Sequence, residues 1–233
     1  MNHASGLVLL SGGIDSSTVA AFAVGECAQL AALTFRYGQR HELEIGSARR
    51  LADAFGIREH VIIDVPAHIF SGTALTGSER LDVPKERAID DPADIPATYV
   101  PARNILFLSY ALAYAESRSI PDIYIGVNAL DYSGYPDCRP EFIRKFQEMA
   151  NVGTKAGVQG RPFHIHAPLI SMKKSEIILL GTRLGVDYAL TLSCYDPAPD
   201  GAACGSCDSC VIRRQGFLDA GVSDPTRYAS RPQ

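Results

Sequence analysis

The stretch Leu7-Val8-Leu9-Leu10-Ser11-Gly12-Gly13-Ile14-Asp15-Ser16-Ser17 decides the fold. Four consecutive aliphatic residues without alternation predict a strand buried on both faces. The run stops at Ser11-Gly12-Gly13 and resumes with apolar residues at helical spacing, Val19, Ala20, Ala23 and Val24. The pattern is a strand, a tight glycine turn and a helix. Unpaired N–H groups at such a helix start, together with its dipole, favour an anion. Neither glycine carries a Cβ, so the turn's amides can close on phosphate oxygens, and Ser11, Ser16 and Ser17 add hydroxyl donors. The candidate phosphate-binding stretch spans Val8, Leu9, Leu10, Ser11, Gly12, Gly13, Ile14, Asp15, Ser16, Ser17 and Thr18, and the bland alternative is a capped helix after a strand. A bare carboxylate in an anion cradle would repel the ligand, so Asp15 either caps the helix or holds Mg²⁺ through its waters.

Two commoner phosphate loops are excluded. The turn lacks the lysine of G-x-x-x-x-G-K-[ST], and it is not G-x-G-x-x-G. The 233 residues suffice for one domain with an appendage and a full core. A net charge of −4 implies no broad basic face, which weighs against nucleic-acid binding. No N-terminal stretch has the pattern of a signal peptide and no apolar run has the length of a membrane span, so a cytoplasmic protein is expected.

Further strands are predicted at Leu30–Phe35, Glu59–Val65, Ile123–Val127 and Phe163–Ala167. Helices are predicted at about 42–55, at Ala102–Ser117, up to about Ala150, and from Lys173-Lys174 onward. In the 42–55 helix, Leu43, Leu51, Ala54 and Phe55 are expected to face inward, with Gly56 as the stop. The β-α-β-α-β rhythm predicts an α/β fold with a parallel sheet, and ligands at the carboxyl ends of its strands. The segment 66–101 holds five prolines (Pro66, Pro84, Pro92, Pro96, Pro101) and is either a lid or a dispensable insertion. Cys27 is expected to be a small core residue. His164 and His166 alternate on a strand and are expected to be structural or surface residues. Two lysines, Lys173 and Lys174, at a helix start are disfavoured by its dipole, so they mark either an anionic partner or solvated surface.

Cys194 is followed after nine residues by Cys204, and then by Cys207 and Cys210 at two-residue spacings. Four thiolates in a short Gly-rich segment match a closed tetrahedral Zn²⁺ site, one ion per chain and structural rather than catalytic. An iron–sulfur cluster is the rival, but there is no Cys-Pro ending and no other redox feature. The chain is expected to divide into an α/β domain, 1–190, and a C-terminal zinc-binding segment, 191–233.

The turn resembles the S-G-G-x-D-S-[ST] loop of the PP-loop ATP pyrophosphatase superfamily. More specific are Tyr99-Val100-Pro101-Ala102-Arg103-Asn104, Gly126-Val127-Asn128-Ala129, and Asp131-Tyr132-Ser133-Gly134-Tyr135-Pro136-Asp137-Cys138-Arg139-Pro140. The ending Thr191-Leu192-Ser193-Cys194-Tyr195, with the Cys-x-x-Cys-x-x-Cys run and Arg213, completes a pattern that resembles the 7-cyano-7-deazaguanine synthase family along nearly the whole chain. The stretch from Pro197 to Ala203 departs from that pattern and is expected to lengthen a loop without moving a ligand.

The resemblance implies a doubly wound parallel sheet of the adenine nucleotide α-hydrolase type. It also implies a ligase of the queuosine pathway that converts 7-carboxy-7-deazaguanine and ammonia to the nitrile with ATP, and a homodimer. On this reading Asp15, Lys174 and Arg103 carry catalysis, with Lys173 a weaker candidate. Asp131 and Asp137 are alternatives for the donor edge of the deazaguanine, and Tyr132 or Tyr135 can stack on its ring. Cys138 lacks an evident histidine partner and reads as loop structure rather than a nucleophile. A PP-loop tRNA-thiolating enzyme is the nearest alternative, and would need a reactive cysteine and a basic surface. A zinc-ribbon binding module on a degenerate ATP fold is the alternative from another class, and leaves the Asp131–Pro140 loop unexplained.

Overall fold

A computed structural model describes residues 3–38, 43–70, 75, 98–130 and 135–229. Among these, β1 (His3–Leu9), β2 (Cys27–Arg36), β3 (Glu59–Asp64), β4 (Asp122–Tyr124) and β5 (His164–His166) form one all-parallel sheet in the order β3-β2-β1-β4-β5. The connecting helices are α1 (Ile14–Glu26), α2 (Leu43–Ala54), α3 (Arg103–Arg118), α4 (Pro140–Gly153), α5 (Lys155–Val158), α6 (Lys174–Arg183) and α7 (Asp208–Ala220).

The unbroken apolar run of β1 does what its composition requires. Leu7 and Leu9 enter a core with α3 and α4, through Leu108, Ala111, Ile143 and Phe146. Val8 and Leu10 enter a second core on the opposite face with α1, α2 and α6, through Val19, Ala48, Leu51 and Ile177. Helices on both faces make the sheet doubly wound, as expected. From β1 the chain runs outward to β2 and β3, then returns to lay β4 on the other side of β1. The connections leaving β1 and β4 therefore diverge and open a crevice between them.

Several boundaries and one helix phase differ from the sequence expectation. The first strand begins at His3, and Leu10 lies just past it while its N–H still donates to the Leu33 carbonyl at 2.8 Å. Cys27 is buried and opens β2. The α2 face turned inward carries Ile45, Ser47, Ala48, Leu51 and Ala52, whereas Leu43 and Ala54 are exposed. The physical reason lies in the glycine turn. Gly12 has a φ of +89°, and a Cβ there would sit 2.7 Å from the Glu44 carbonyl oxygen and 3.0 Å from the Ala48 nitrogen. Only the small-residue face of α2 can come that close. Gly56, at φ +68°, ends the helix as predicted.

The sequence reading did not foresee α7. Its Gly216 lies where a Cβ would fall 2.3 Å from Lys174 Cγ, so α7 packs directly onto α6. Arg213 is almost fully buried beneath it, donating to Asp224, Thr191, Ser193 and the Tyr188 carbonyl. His164 is exposed, and His166 pairs with buried Asp122 at 2.7 Å and stacks on Tyr124. Of the segment 66–101, only 66–70, Leu75 and 98–101 are described, so its reading as a lid lies largely outside the described residues. No helix among the described residues is long and apolar enough to cross a membrane.

Candidate active site and metal centre

A cavity of about 230 Å³ opens at the carboxyl ends of β1 and β4, where the crevice was expected. One end is the glycine turn. Gly13 sits at the N-cap position of α1 without a side-chain cap, and the first amides of the helix lack intrahelical acceptors. The turn is braced from within. Ser16 Oγ accepts from the Ser11 amide at 3.1 Å, and Ser17 Oγ donates to the Gly13 carbonyl at 2.7 Å. Thr18 Oγ1 donates to the Ile14 carbonyl and meets Tyr188 Oη at 2.9 Å.

The expected nucleotide segment thus separates into two jobs. Leu9, Leu10, Ser11, Gly13, Ile14, Asp15 and Ser16 line the cavity. Val8, Ser17 and Thr18 are fully buried and hold the turn in shape. The two glycines also differ. Gly12 is required by the close approach of α2, whereas a Cβ on Gly13 would find nothing nearer than 3.6 Å.

Asp15 does not cap its helix. Its Oδ1 accepts from Lys174 Nζ at 2.6 Å, across the gap between α1 and α6. The two lysines therefore part company: Lys174 is buried and lines the cavity, and Lys173 is exposed. Asn128 explains how α6 comes to point there. Its Nδ2 donates to the Leu169 and Met172 carbonyls, tying the β4 loop to the approach of α6. Gly126 lets that loop cross the start of α1, since a Cβ there would lie 2.9 Å from the Ser16 nitrogen.

The other end of the cavity is aromatic and basic. Phe35 and Phe107 stack with centroids 4.0 Å apart, and Tyr37 meets Phe107 edge-on. Arg103 lines this end and hydrogen-bonds Tyr37. Burial works against its charge, but Tyr37, Cys138, Tyr135 and Asp137 outweigh it and hold the guanidinium cationic. Tyr135 also lines the cavity, with its hydroxyl on Thr98 Oγ1 at 2.7 Å. Glu44, which sequence reasoning missed, lines the wall beside the turn. Burial pushes its carboxyl up to about 7, against the opposing pull of Arg103.

Asp137 is almost fully buried and absent from the cavity lining among the described residues. Its Oδ2 accepts from the Asn104 amide at 3.0 Å, capping α3 from outside the helix. Asp131 and Tyr132 lie outside the described residues. Burial pushes the Cys138 thiol up to about 12, which keeps it protonated and poorly nucleophilic, in keeping with a loop role.

The four C-terminal cysteines converge so that their ligand atoms all lie within 4.8 Å of one another. A tetrahedral ion with M–S bonds of about 2.3 Å needs sulfurs roughly 3.8 Å apart, and Cys204 Sγ lies 4.0 Å from Cys210 Sγ. Backbone amides point at the sulfurs: Cys204 N donates to Cys194 Sγ at 3.2 Å, and Cys207 N to Cys204 Sγ at 3.4 Å. Donation from Cys194 and Cys210 drives the Cys207 thiol down, and those two rise in response, as expected for thiols this crowded without a cation. The donor set fits a metal ion. The stretch from Pro197 to Ala203 closes into a turn through Ala198 N to the Ala202 carbonyl at 2.8 Å, and leaves the four sulfurs together. The cluster also borders the cavity, which Leu192, Ser193, Cys194, Tyr195 and Ser209 help to line.

The profile of the family described as "Queuosine biosynthesis protein QueC" matches residues 5–221. The chain belongs to the QueC family. Among QueC relatives, the 7-cyano-7-deazaguanine synthase of Paramagnetospirillum magneticum is 57% identical over 227 residues, covering 96% of this chain and 98% of that protein. The 7-cyano-7-deazaguanine synthase of Solidesulfovibrio magneticus is 58% identical, covering 95% and 94%. A solved 4-thiouridine synthetase–RNA complex with bound ATP shares the QueC fold at a TM-score of 0.50 and 17% identity, over 94% of this chain and 51% of that one. That likeness concerns the fold alone.

Proposed function

We infer that this chain is a 7-cyano-7-deazaguanine synthase, which converts 7-carboxy-7-deazaguanine and ammonia to the nitrile at the expense of ATP. The near-complete overlap with synthases at 57–58% identity carries this reading. The chemistry suits the cavity. A carboxylate does not lose oxide, so its oxygen must first be joined to phosphate before ammonia can attack. The resulting amide needs a second activation before it can dehydrate. Both rounds leave phosphate charge at the glycine turn, where fixed amides are preorganised to stabilise it.

On this reading Asp15, Lys174 and Arg103 are the catalytic set. Lys174 balances developing phosphate charge, and Arg103 clamps an anionic group from the opposite wall. Asp15 holds Lys174 in place, and it would be the carboxylate to hold Mg²⁺, whose charge would offset that of the phosphates. One carboxylate beside a phosphate site fits the ordinary binding of that ion. Tyr135 bounds the ring pocket, and Asp131 with Tyr132 is the remaining candidate pair for its polar edge. The four cysteines would hold one Zn²⁺, a structural cross-link that makes residues 191–233 a wall of the cavity. A cytoplasmic homodimer without direct contact to nucleic acid completes the proposal.

The test is direct. The purified protein is incubated with the acid, ammonia and ATP, and the nitrile is sought by mass spectrometry. Its absence from a folded, zinc-loaded preparation overturns the reading.

A further inference from the structure

We propose that Glu44 is the base that takes protons from the substrate nitrogen in both rounds of nitrile formation. The inference rests on the synthase reading and adds a residue to it. The reaction's proton balance calls for such a group. Ammonium carries four protons and the nitrile nitrogen carries none. In the first round a C–N bond forms, the activated C–O bond breaks, the phosphate group leaves with its electron pair, and two protons depart from nitrogen. In the second round the amide oxygen leaves on phosphate, the C–N triple bond closes, and the remaining two protons depart. Each round therefore needs an acceptor inside the cavity that can pass protons on to water.

Among the described residues that line the cavity, the carboxylates are Asp15 and Glu44, and there is no histidine. Asp15 is committed to Lys174 at 2.6 Å. Burial keeps the Tyr37, Tyr135 and Cys138 side chains protonated, so they have no room for another proton near neutrality. Arg103 is held cationic. Glu44 stands in the first turn of α2, whose backbone abuts Gly12 of the phosphate turn, and its carboxyl feels Arg103 and Tyr37 across the cavity. Glu44 thus lines the cavity with its backbone against the glycine turn and its carboxyl within the field of Arg103, which lines the same cavity. Among the described residues, the charged groups lining this space with Glu44 are Arg103 from α3, Lys174 from α6, Arg213 from α7 and Asp15 from α1, with Tyr37 just past the end of β2. A carboxyl poised near 7 can accept a proton and release it within one turnover at neutral pH.

The experiment uses the amide as substrate, with ATP and without ammonia, so that the ionisation of ammonium cannot enter the pH profile. The native enzyme should lose turnover below about pH 7, by about tenfold per unit. Glu44→Gln should lower kcat for the amide by about 100- to 1,000-fold and abolish that acid limb, while its KM stays within about threefold. Glu44→Asp should regain part of the rate and the limb. Single-turnover ATP cleavage driven by the acid, with ammonia withheld, should survive in Glu44→Gln, because activating a carboxylate releases no proton from nitrogen. Unchanged kcat in Glu44→Gln overturns the proposal. So does a raised KM with normal kcat, which would mark Glu44 as a reader of the ring edge. Loss of acid-driven ATP cleavage also overturns it, and would mark a role at the phosphates. If the native enzyme makes no nitrile from the acid, the synthase reading itself falls, whatever the variants do.

Discussion

Lys174 Nζ lies 2.6 Å from Asp15 Oδ1, joining two residues 159 positions apart beside the glycine turn. Neither is well exposed, with side-chain accessibilities of 9% and 16%. Breaking one half of such a pair leaves a charge without compensation. Lys174→Met should therefore weaken ATP binding more than the Asp15→Asn/Lys174→Met double variant does. A thermodynamic cycle on ATP affinity should return a coupling of roughly 1–3 kcal/mol. Additive effects would show that the pair does not act as a unit. Zinc content should stay near one per chain throughout.

Gly216 is the neighbour that gives Lys174 its path. Gly216→Ala would place a methyl 2.3 Å from Lys174 Cγ and 3.1 Å from Ile178 Cδ1. Denaturant unfolding should show a loss of about 1–3 kcal/mol, and turnover should fall as the ammonium is displaced. Gly25→Ala serves as the control, because a Cβ there meets nothing within 4 Å inside α1. That variant should gain roughly 0.5–1 kcal/mol with unchanged turnover.

Asp137 and Cys138 are adjacent but should behave differently. Asp137→Ala removes the carboxylate that accepts from the Asn104 amide at the start of α3, and should cost about 1–2 kcal/mol in unfolding experiments. Cys138→Ala should keep kcat within about threefold, because a thiol held near 12 contributes little thiolate. A Cys138→Ala enzyme without turnover, but folded and zinc-loaded, would restore the nucleophile that the sequence reading set aside.

Glu44 should register in stability as well as in rate. Burial raises its folded-state pKa to about 7, above the value of an unfolded glutamate. A raised acid stabilises the fold below its unfolded pKa, and that contribution is lost as pH rises through about 7. Thermal unfolding of Glu44→Gln should therefore show a gain over the native protein of roughly 1–3 kcal/mol at pH 8, shrinking toward nothing near pH 4.5. A gain that stayed constant with pH would mean that the carboxyl ionises normally.

Removing the metal tests the cysteine cluster. Cys204→Ser, or a strong chelator, should strip zinc and lower the melting temperature, and acid should do the same by protonating the thiolates. Because Cys194 and its neighbours line the cavity, nitrile formation should fall together with zinc content rather than after global unfolding. Full activity in a zinc-free protein would contradict this.

The sheet was legible because the run Leu7–Leu10 is apolar without interruption and ends in a glycine turn followed by helical spacing. The cysteine spacing likewise announced a cluster of four thiols that could hold a metal ion. The α2 phase was not legible, because its burial is decided by Gly12 and Ala48 meeting although far apart in the chain, and Leu43 looks a better core residue than Ser47. Asp137 could be named but not assigned, since a carboxylate that caps a helix and one that reads a ring look alike in a string. Glu44 escaped notice for a related reason: a glutamate in a charged helical stretch reads as surface until the cavity is seen beside it. The helix α7 hid inside the metal motif, where the cysteines drew attention from Arg213 and Gly216.

The Leu192 amide donates to the Gly12 carbonyl at 2.9 Å, two residues before the first cysteine of the metal set. That contact ties the glycine turn and the cysteine segment into one strap. Any coupling carried by that strap acts in both directions, as thermodynamic linkage requires. A nucleotide that firms the turn must raise metal affinity by the same factor by which the metal raises nucleotide affinity. On the proposed reading, with ATP at the turn and zinc on the cysteines, loss of the metal would weaken the hold on ATP by that same factor.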